Sequence, residues 1–198
     1  MPTTSAILTA AGESTRMGAF KPLLPWKGKA LVQYQTVSLV EAGIDEIVVV
    51  LGYLKDLVIP YLDSSKIKWT FNPDYRSGRT TSIKAGLDTV SPDAKNILLL
   101  AVDQPRTPHV ISAIMCSHIT SKAIITVPRY KGFGGHPVVF STTLRPEIAR
   151  IPECGRGIKE VFLDHRRELN EVFINDPMVK LDLNTPDEFD RAKMNHRA

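Results

Sequence analysis

Cysteine is scarce in this chain, and that narrows the chemistry at once. The two present, Cys116 and Cys154, form no Cys-x-x-Cys pair and have no histidine cluster beside them, which argues against a zinc site and for a reducing compartment. Long hydrophobic runs are lacking too. No stretch approaches the roughly 20 apolar residues of a membrane span, and the apolar run after the first four residues is too short for a secretory leader. The expectation is a cytoplasmic protein with no membrane partner. Nor is there a basic stripe: net charge is +4, but Lys and Arg are scattered in small knots such as Arg166-Arg167 and are not interleaved with aromatics. Nucleic acid is therefore not an expected partner, although a mild cationic excess suits small anionic ligands as well as it suits a solvated surface. Repeats, low-complexity tracts and linkers are missing as well. The 198 residues read as one domain, 1–198, long enough to bury roughly 70% of the extended chain's surface.

What the chain does have is alternation. Apolar runs of strand length recur at 5–10, 46–51, 67–71 and 96–102, with helical patterns between them at 31–42, 53–62 and 80–90. The 46–51 run, Glu-Ile-Val-Val-Val-Leu, is β-branched and nearly continuous, as expected of a strand buried on both faces. Gly43 stands at a helix C-cap, Pro60 ends or kinks its helix, and Thr107-Pro108 reads as an N-cap followed by proline at the first helical position. The helix so opened places Val110, Ile111, Ile114 and Met115 on one face. Shorter strands are expected at 123–127, 138–140, 172–174 and 179–183, and a closing helix over 186–195. Such alternation predicts an α/β fold of three layers around a mostly parallel sheet, to which the later strands and loop 129–137 add a small antiparallel insertion. In such a sheet ligands bind beyond the carboxyl ends of the strands, here 10–21, 72–82, 103–106 and 182–185.

Polar residues of interest fall in those places. In Thr9-Ala10-Ala11-Gly12-Glu13-Ser14-Thr15-Arg16-Met17-Gly18, small residues at 10–12 let backbone N–H groups approach a phosphate. Arg16 can fork onto phosphate oxygens, and Lys21 adds a compact charge. The segment is neither a P-loop nor Gly-x-Gly-x-x-Gly, and an ordinary tight turn with two solvated cations fits the residue types equally. Asp103, just past a strand, suits Mg²⁺ between phosphate oxygens or a plain cap on the next helix. Asp182 and Asn184 point the same way in an extended segment, while Thr185 before Pro186 also suits an N-cap. Residues 76–82 are rich in hydroxyls and open a helix, whose N–H groups suit an anionic or carbonyl-bearing ligand; Thr80 and Ser82 are equally good capping residues. Gly132-Phe133-Gly134-Gly135-His136-Pro137 sets one histidine in a glycine-rich loop, and a lone histidine is more often structural. His118, His165 and His196 have no evident partner, and His109 falls in an exposed first helical turn. No Ser-His-Asp or Cys-His arrangement stands out.

Taken in order, Ala-Ala-Gly-x-Ser-x-Arg-Met-Gly at 10–18, Lys21-Pro22-Leu23-Leu24-Pro25, Asn72-Pro73, Thr80-Thr81-Ser82-Ile83-Lys84-Ala85-Gly86-Leu87, Asp103-Gln104-Pro105, Gly135-His136-Pro137-Val138 and Asp182-Leu183-Asn184-Thr185-Pro186-Asp187 resemble the signature of the MobA-like nucleotidyltransferases. The similarity is greatest to their molybdenum cofactor cytidylyltransferase branch and runs over nearly the whole chain. It implies a Rossmann-like domain similar to the nucleotide-diphospho-sugar transferases. It also implies direct transfer of CMP from CTP to (molybdenum-bound) molybdopterin, with pyrophosphate leaving. By the same resemblance Arg16, Lys21 and Asp103 form the catalytic set, and Mg²⁺ is the cofactor, on Asp103 with Asp182 as a second contact. Ala10, Ala11, Gly12, Arg79, Thr80 and Ser82 surround the nucleotide, and Gly135, His136 and Asn184 meet the acceptor, Asn184 as a neutral ligand or hydrogen-bond partner. A cytidylyl preference rests on Ala11, where guanylyl relatives typically carry a second glycine, and on Gln104. A client molybdoenzyme is an implied partner.

Two positions depart from the pattern. Thr9 replaces the usual leucine, and Cys154-Gly155-Arg156-Gly157-Ile158-Lys159 stands where Gly-Asp-x-Gly is usual, without the acid; Arg156 and Lys159 remain as contacts for an acceptor phosphate. Two rival readings keep the nucleotide. One moves CMP to a sugar or polyol phosphate, and the other is a nucleotide-binding accessory of molybdoenzyme maturation without turnover.

Overall fold

The computed structural model describes residues 3–152 and 155–195; Cys154 and His196 lie outside them. In chain order the elements are β1 (Thr4–Ala10), a small ribbon of β2 (Pro25–Trp26) and β3 (Lys29–Ala30), α1 (Leu31–Glu41), β4 (Glu46–Leu51), α2 (Lys55–Val58), β5 (Ile67–Phe71), α3 (Arg79–Thr89), β6 (Asn96–Ala101) and α4 (Pro108–Ser121). They continue with β7 (Ile125–Tyr130), β8 (Phe133–Gly134), β9 (Val138–Ser141), α5 (Arg145–Arg150), α6 (Lys159–Asp164), β10 (Leu169–Phe173) and α7 (Pro186–Asn195).

One sheet of order β10-β7-β9-β6-β1-β4-β5, with β8 on the flank of β7, organises these residues. The pairs β6/β1, β1/β4, β4/β5 and β7/β10 are parallel, whereas β9 runs against both β6 and β7. The antiparallel insertion expected near loop 129–137 is thus β8 and β9. Apolar side chains alternate between two cores, which makes the three layers. Ala6, Leu8, Ile47 and Val49 meet α1, α4 and α7 on one face, while Ile7, Val48 and Val50 meet α3, α5 and α6 on the other. Among the described residues no helix is long and apolar enough to cross a membrane.

The register positions the site. Ala10 pairs with Leu51, Leu51 with Phe71, and Thr9 with Ala101, so four strands end at one level. The chain steps from β1 to β4 and β5 on one side, then returns through α3 to β6 on the other. A topological switch point therefore lies between β1 and β6, where α/β sheets open a crevice.

Local chemistry sets the boundaries. Thr107 accepts from Val110 N–H at 3.3 Å to start α4, with Pro108 following, and Val110, Ile111, Ile114 and Met115 are buried as the spacing predicted. Gly43 takes φ +87° just past α1. The 53–62 helix is shorter than expected: α2 gives way to a 3₁₀ turn over Ile59–Tyr61 at Pro60. The strand expected at 179–183 does not form. Pro177–Lys180 is a 3₁₀ turn instead, started by Asp176, whose carboxylate accepts from Met178 N–H at 2.8 Å. An Asp-Pro start outweighs a short apolar run. His165, expected without a partner, bridges Glu147 at 2.9 Å and Glu168 at 3.1 Å, and its pKa is raised by those carboxylates.

Candidate active site

A cleft of about 270 Å³ opens at the switch point, lined by residues 9–12 and 14–16, Lys21, Pro22, Tyr75, Gly78, Arg79, Ser82 and 101–103. Arg16, Lys21 and Asp103 share this one crevice, as do Ala10, Ala11, Gly12, Arg79 and Ser82.

The floor is the loop after β1. Ser14 adopts φ +61°, and its hydroxyl accepts from Lys21 N–H at 3.1 Å, folding the chain back so that Lys21 enters the cleft. Lys21 is 8% exposed; its ammonium donates to Asp103 Oδ2 at 2.7 Å and to Asn184 Oδ1 at 3.1 Å. Three segments far apart in sequence therefore meet at one cation. Gly12 is instructive: a Cβ there would meet nothing within 4 Å, and no positive φ demands glycine. The fold leaves the position open on the cleft side, as close approach of a ligand requires.

The opposite wall is the N-terminus of α3. The Asn72 amide donates to Thr81 Oγ1 at 2.8 Å and Ser82 Oγ at 3.0 Å, while its carbonyl accepts from Asp74 N–H at 3.0 Å. That clamp sets Arg79 at the rim. Glu13 and Arg76, 2.7 Å apart, join the two walls at the surface. Thr80 does not line the cleft: it is buried beneath Gly157, where an added Cβ would lie 3.4 Å from its hydroxyl.

Gly135, His136, Asp182 and Asn184 lie outside the cleft lining; His136 O accepts from Arg106 Nε at 2.8 Å and Asp182 Oδ1 lies 3.9 Å from Arg106 Nη2. Burial lowers the His136 pKa to about 4, with Arg106 and Arg79 adding to the effect and Asp103 opposing it, so the ring is neutral at pH 7. Burial raises the pKa of Asp182, opposed by Arg106 and a hydrogen bond from Gln104. Gly135 has a packing reason, since a Cβ would stand 2.2 Å from Val179 O. Gln104 is buried and caps β6 by accepting from Ala101 N–H at 3.1 Å; it lies outside the cleft lining, so of the two residues read as base-selective only Ala11 faces the ligand space.

Sequence reasoning missed Arg106 and Gln35, both 0% exposed. Gln35 donates to Gln104 O at 2.6 Å and accepts from Arg106 N–H at 3.2 Å. The signal was present: Gln35 interrupts the buried stripe Leu31, Val32, Leu39 of α1. Burial lowers the Arg106 pKa to about 10, which leaves it charged at neutral pH.

Divalent-ion chemistry fits the donors. One Asp182 oxygen is buried without a hydrogen-bond partner, and Asp103 and Asn184 supply further oxygens. Among the described residues no three His, Cys, Asp or Glu converge as a metal cage; Mg²⁺, however, uses one or two carboxylates and takes its other ligands from water and phosphates.

The sheet and cleft thus define an α/β protein with a cationic crevice, closed by a carboxylate, at its switch point. The chain belongs to the MobA-like NTP transferase family, whose domain matches residues 6–169, the family its motifs resemble. It is 30% identical over 195 residues to the molybdenum cofactor cytidylyltransferase of Escherichia coli K12, covering 98% of this chain and 97% of the relative. It is 31% identical over 170 residues to nicotine blue oxidoreductase of Paenarthrobacter nicotinovorans, covering 82% of each. Its structure is similar to Rv0371c of Mycobacterium tuberculosis H37Rv, with TM-score 0.84 and 26% identity over 96% of this chain and 97% of that one; a complex of Rv0371c with manganese is also similar, at TM-score 0.77 with the same identity and coverage.

Proposed function

We propose that this protein transfers CMP from CTP to a molybdopterin-type acceptor with release of pyrophosphate. The observation that carries the reading is the convergence of Arg16, Lys21 and Asp103 on one cleft, with Lys21 bonded to Asp103 and Asn184. The name of the Escherichia coli relative supports the nucleotide and acceptor, and the manganese complex of Rv0371c supports a divalent ion.

In this reading the triphosphate lies over 10–12, where Gly12 leaves room, with Arg79 beside the nucleoside. The acceptor's phosphate oxygen, already anionic near neutral pH, attacks the α-phosphorus in line, so no strong general base is needed. Lys21 and Arg16 stabilise the charge that gathers on the α-phosphoryl oxygens and on departing pyrophosphate. Mg²⁺, held by Asp103 with Asp182 as second carboxylate, would neutralise phosphate charge. Neutral His136 and Asn184 orient the acceptor by hydrogen bonds.

Incubation with each NTP, Mg²⁺ and molybdopterin, followed by mass analysis, tests this: a CMP adduct should form with CTP and pyrophosphate should appear. An adduct with GTP alone would overturn the base assignment, and no adduct with any NTP would overturn the reaction. The second relative's name supplies the rival. Redox turnover of nicotine blue, without pyrophosphate release, would favour an oxidoreductase.

A further inference from the structure

A cation removed from solvent stands just behind the cleft. The Arg106 guanidinium donates to four main-chain carbonyls: Nε to His136 O at 2.8 Å, Nη1 to Pro105 O at 2.8 Å and Leu181 O at 2.7 Å, and Nη2 to Val179 O at 3.0 Å. Nη2 also lies 3.9 Å from Asp182 Oδ1. The four acceptors belong to three separate turns, and each turn carries a group assigned above to metal or acceptor. Asp103 precedes Pro105, His136 is itself one acceptor, and Asp182 and Asn184 follow Leu181.

An aliphatic side chain of similar volume would avoid the desolvation cost of a buried charge, but it would take from the Pro105, His136 and Leu181 carbonyls the donor they have here, leaving Val179 O only the His136 N–H. A planar fork with five N–H groups serves three turns at once. Two further contacts tie the same turns together: Leu183 N–H donates to Asp103 O at 2.8 Å, and His136 N–H to Val179 O at 3.0 Å. They press so closely at Gly135 that a Cβ has no room beside Val179 O. The nucleotide wall is held otherwise, by Ser14, by the Asn72 clamp and by the Glu13–Arg76 pair.

The geometry assigns Arg106 as the positioning residue of the acceptor half: it sets the turns bearing Asp103, His136 and Asp182 in register, while the loop after β1 and the start of α3 are held by contacts that do not involve Arg106, and the two halves meet at Lys21 through its bonds to Asp103 and Asn184. This rests on the reaction proposed above, which makes those three residues the ones that meet metal and acceptor.

The test uses Arg106→Met, Arg106→Lys, which keeps the charge without the fork, and Gly135→Ala, which pushes the 179 turn away without changing any charge. CTP affinity, measured by calorimetry without divalent ion, reads the nucleotide wall alone. Pyrophosphate release reads kcat and acceptor KM, and hydrogen exchange by mass spectrometry locates the disturbance. In Arg106→Met, Kd for CTP should stay within about threefold of wild type, because Arg106 makes no hydrogen bond or ion pair with residues 9–16 or the start of α3, while kcat falls about 100-fold, the order expected of a misplacement near 1 Å. Arg106→Lys should recover part of kcat, Gly135→Ala should show the same split, and exchange should quicken only over 103–106, 135–137 and 179–184. Unchanged kcat in Arg106→Met overturns the assignment. So does loss of CTP affinity in step with kcat, or exchange accelerated evenly along the chain. Should Arg106→Met fail to fold, Arg106→Lys and Gly135→Ala decide by the same criteria. A wild-type chain that transfers no nucleotide overturns the reaction, and calorimetry with exchange still decides whether Arg106 separates the two halves.

Discussion

At the scale of single residues, the cleft divides into positions the fold needs and positions it leaves open. Gly12 is open, with no protein atom within 4 Å of an added Cβ. Gly12→Ala should therefore leave the stability unchanged within about 0.5 kcal/mol and weaken CTP binding; calorimetry beside thermal unfolding separates the two effects. Intact affinity would mean that no phosphate approaches there. Lys21 differs because it serves both purposes, neutralising Asp103 at 2.7 Å and facing the cleft. Lys21→Ala should lower kcat by about 100-fold or more while KM for CTP changes far less, the mark of an interaction realised in the transition state. Steady-state kinetics decide it, and preserved kcat with weaker CTP binding would place Lys21 in ground-state binding alone. The motif Ala-Ala-Gly-x-Ser-x-Arg-Met-Gly announced this loop. Nothing in it announced that Ser14 turns Lys21 inward, because a hydrogen bond seven residues apart depends on the path of the intervening chain.

Among the elements, α3 is where helix propensity and packing disagree. Gly86 lies inside it, and alanine there would gain about 1 kcal/mol of propensity. Its Cβ would stand 2.5 Å from Ile7 Cγ2 and 3.0 Å from Val50 Cγ2, an overpacking that costs about 1–3 kcal/mol. Packing wins, so Gly86→Ala should destabilise the chain in urea unfolding; a stabilised variant would show that α3 can shift on the sheet. Boundaries set by local chemistry were legible in sequence: Thr107-Pro108 started α4 and Gly43 followed α1. The 179–183 segment was not. Its apolar run reads as a strand, yet the Val179 and Leu181 carbonyls are taken by Arg106 rather than by a neighbouring strand.

For the whole molecule, buried histidines contribute to the response to acid, beside Glu46, where the effect of burial is outweighed by hydrogen bonds with Lys68, Ser5 and Ser91 that lower its pKa. His118 is 2% exposed, bonded to Thr126 Oγ1 at 2.8 Å, and burial lowers its pKa to about 4. The unfolded chain protonates near 6.5, so the neutral ring's contribution is complete above that value and is lost as pH falls towards 4. The loss reaches about 3 kcal/mol. His136 acts with the same sign. His165, raised by Glu168 and Glu147, acts oppositely, its contribution present at low pH and lost as pH rises, but exposure of those carboxylates keeps it small. Urea unfolding at pH 7 and pH 4.5 should show a smaller acid loss in His118→Gln than in wild type; equal losses would remove His118 as a source.

The sequence by itself determined the alternation of strands and helices, the burial of 46–51 on both faces and the family, because periodicity, caps and short motifs are local properties of the chain. Tertiary structure alone decided that Lys21, Asp103 and Asn184 meet, that Gln104 turns away from the cleft, and that Arg106 fastens three turns. Apart from the local bonds of Gln104 to Ala101 and of Arg106 to Pro105, those facts are pairings of residues tens of positions apart, and the order in which β1, β4 and β6 lie side by side brings them within hydrogen-bonding reach.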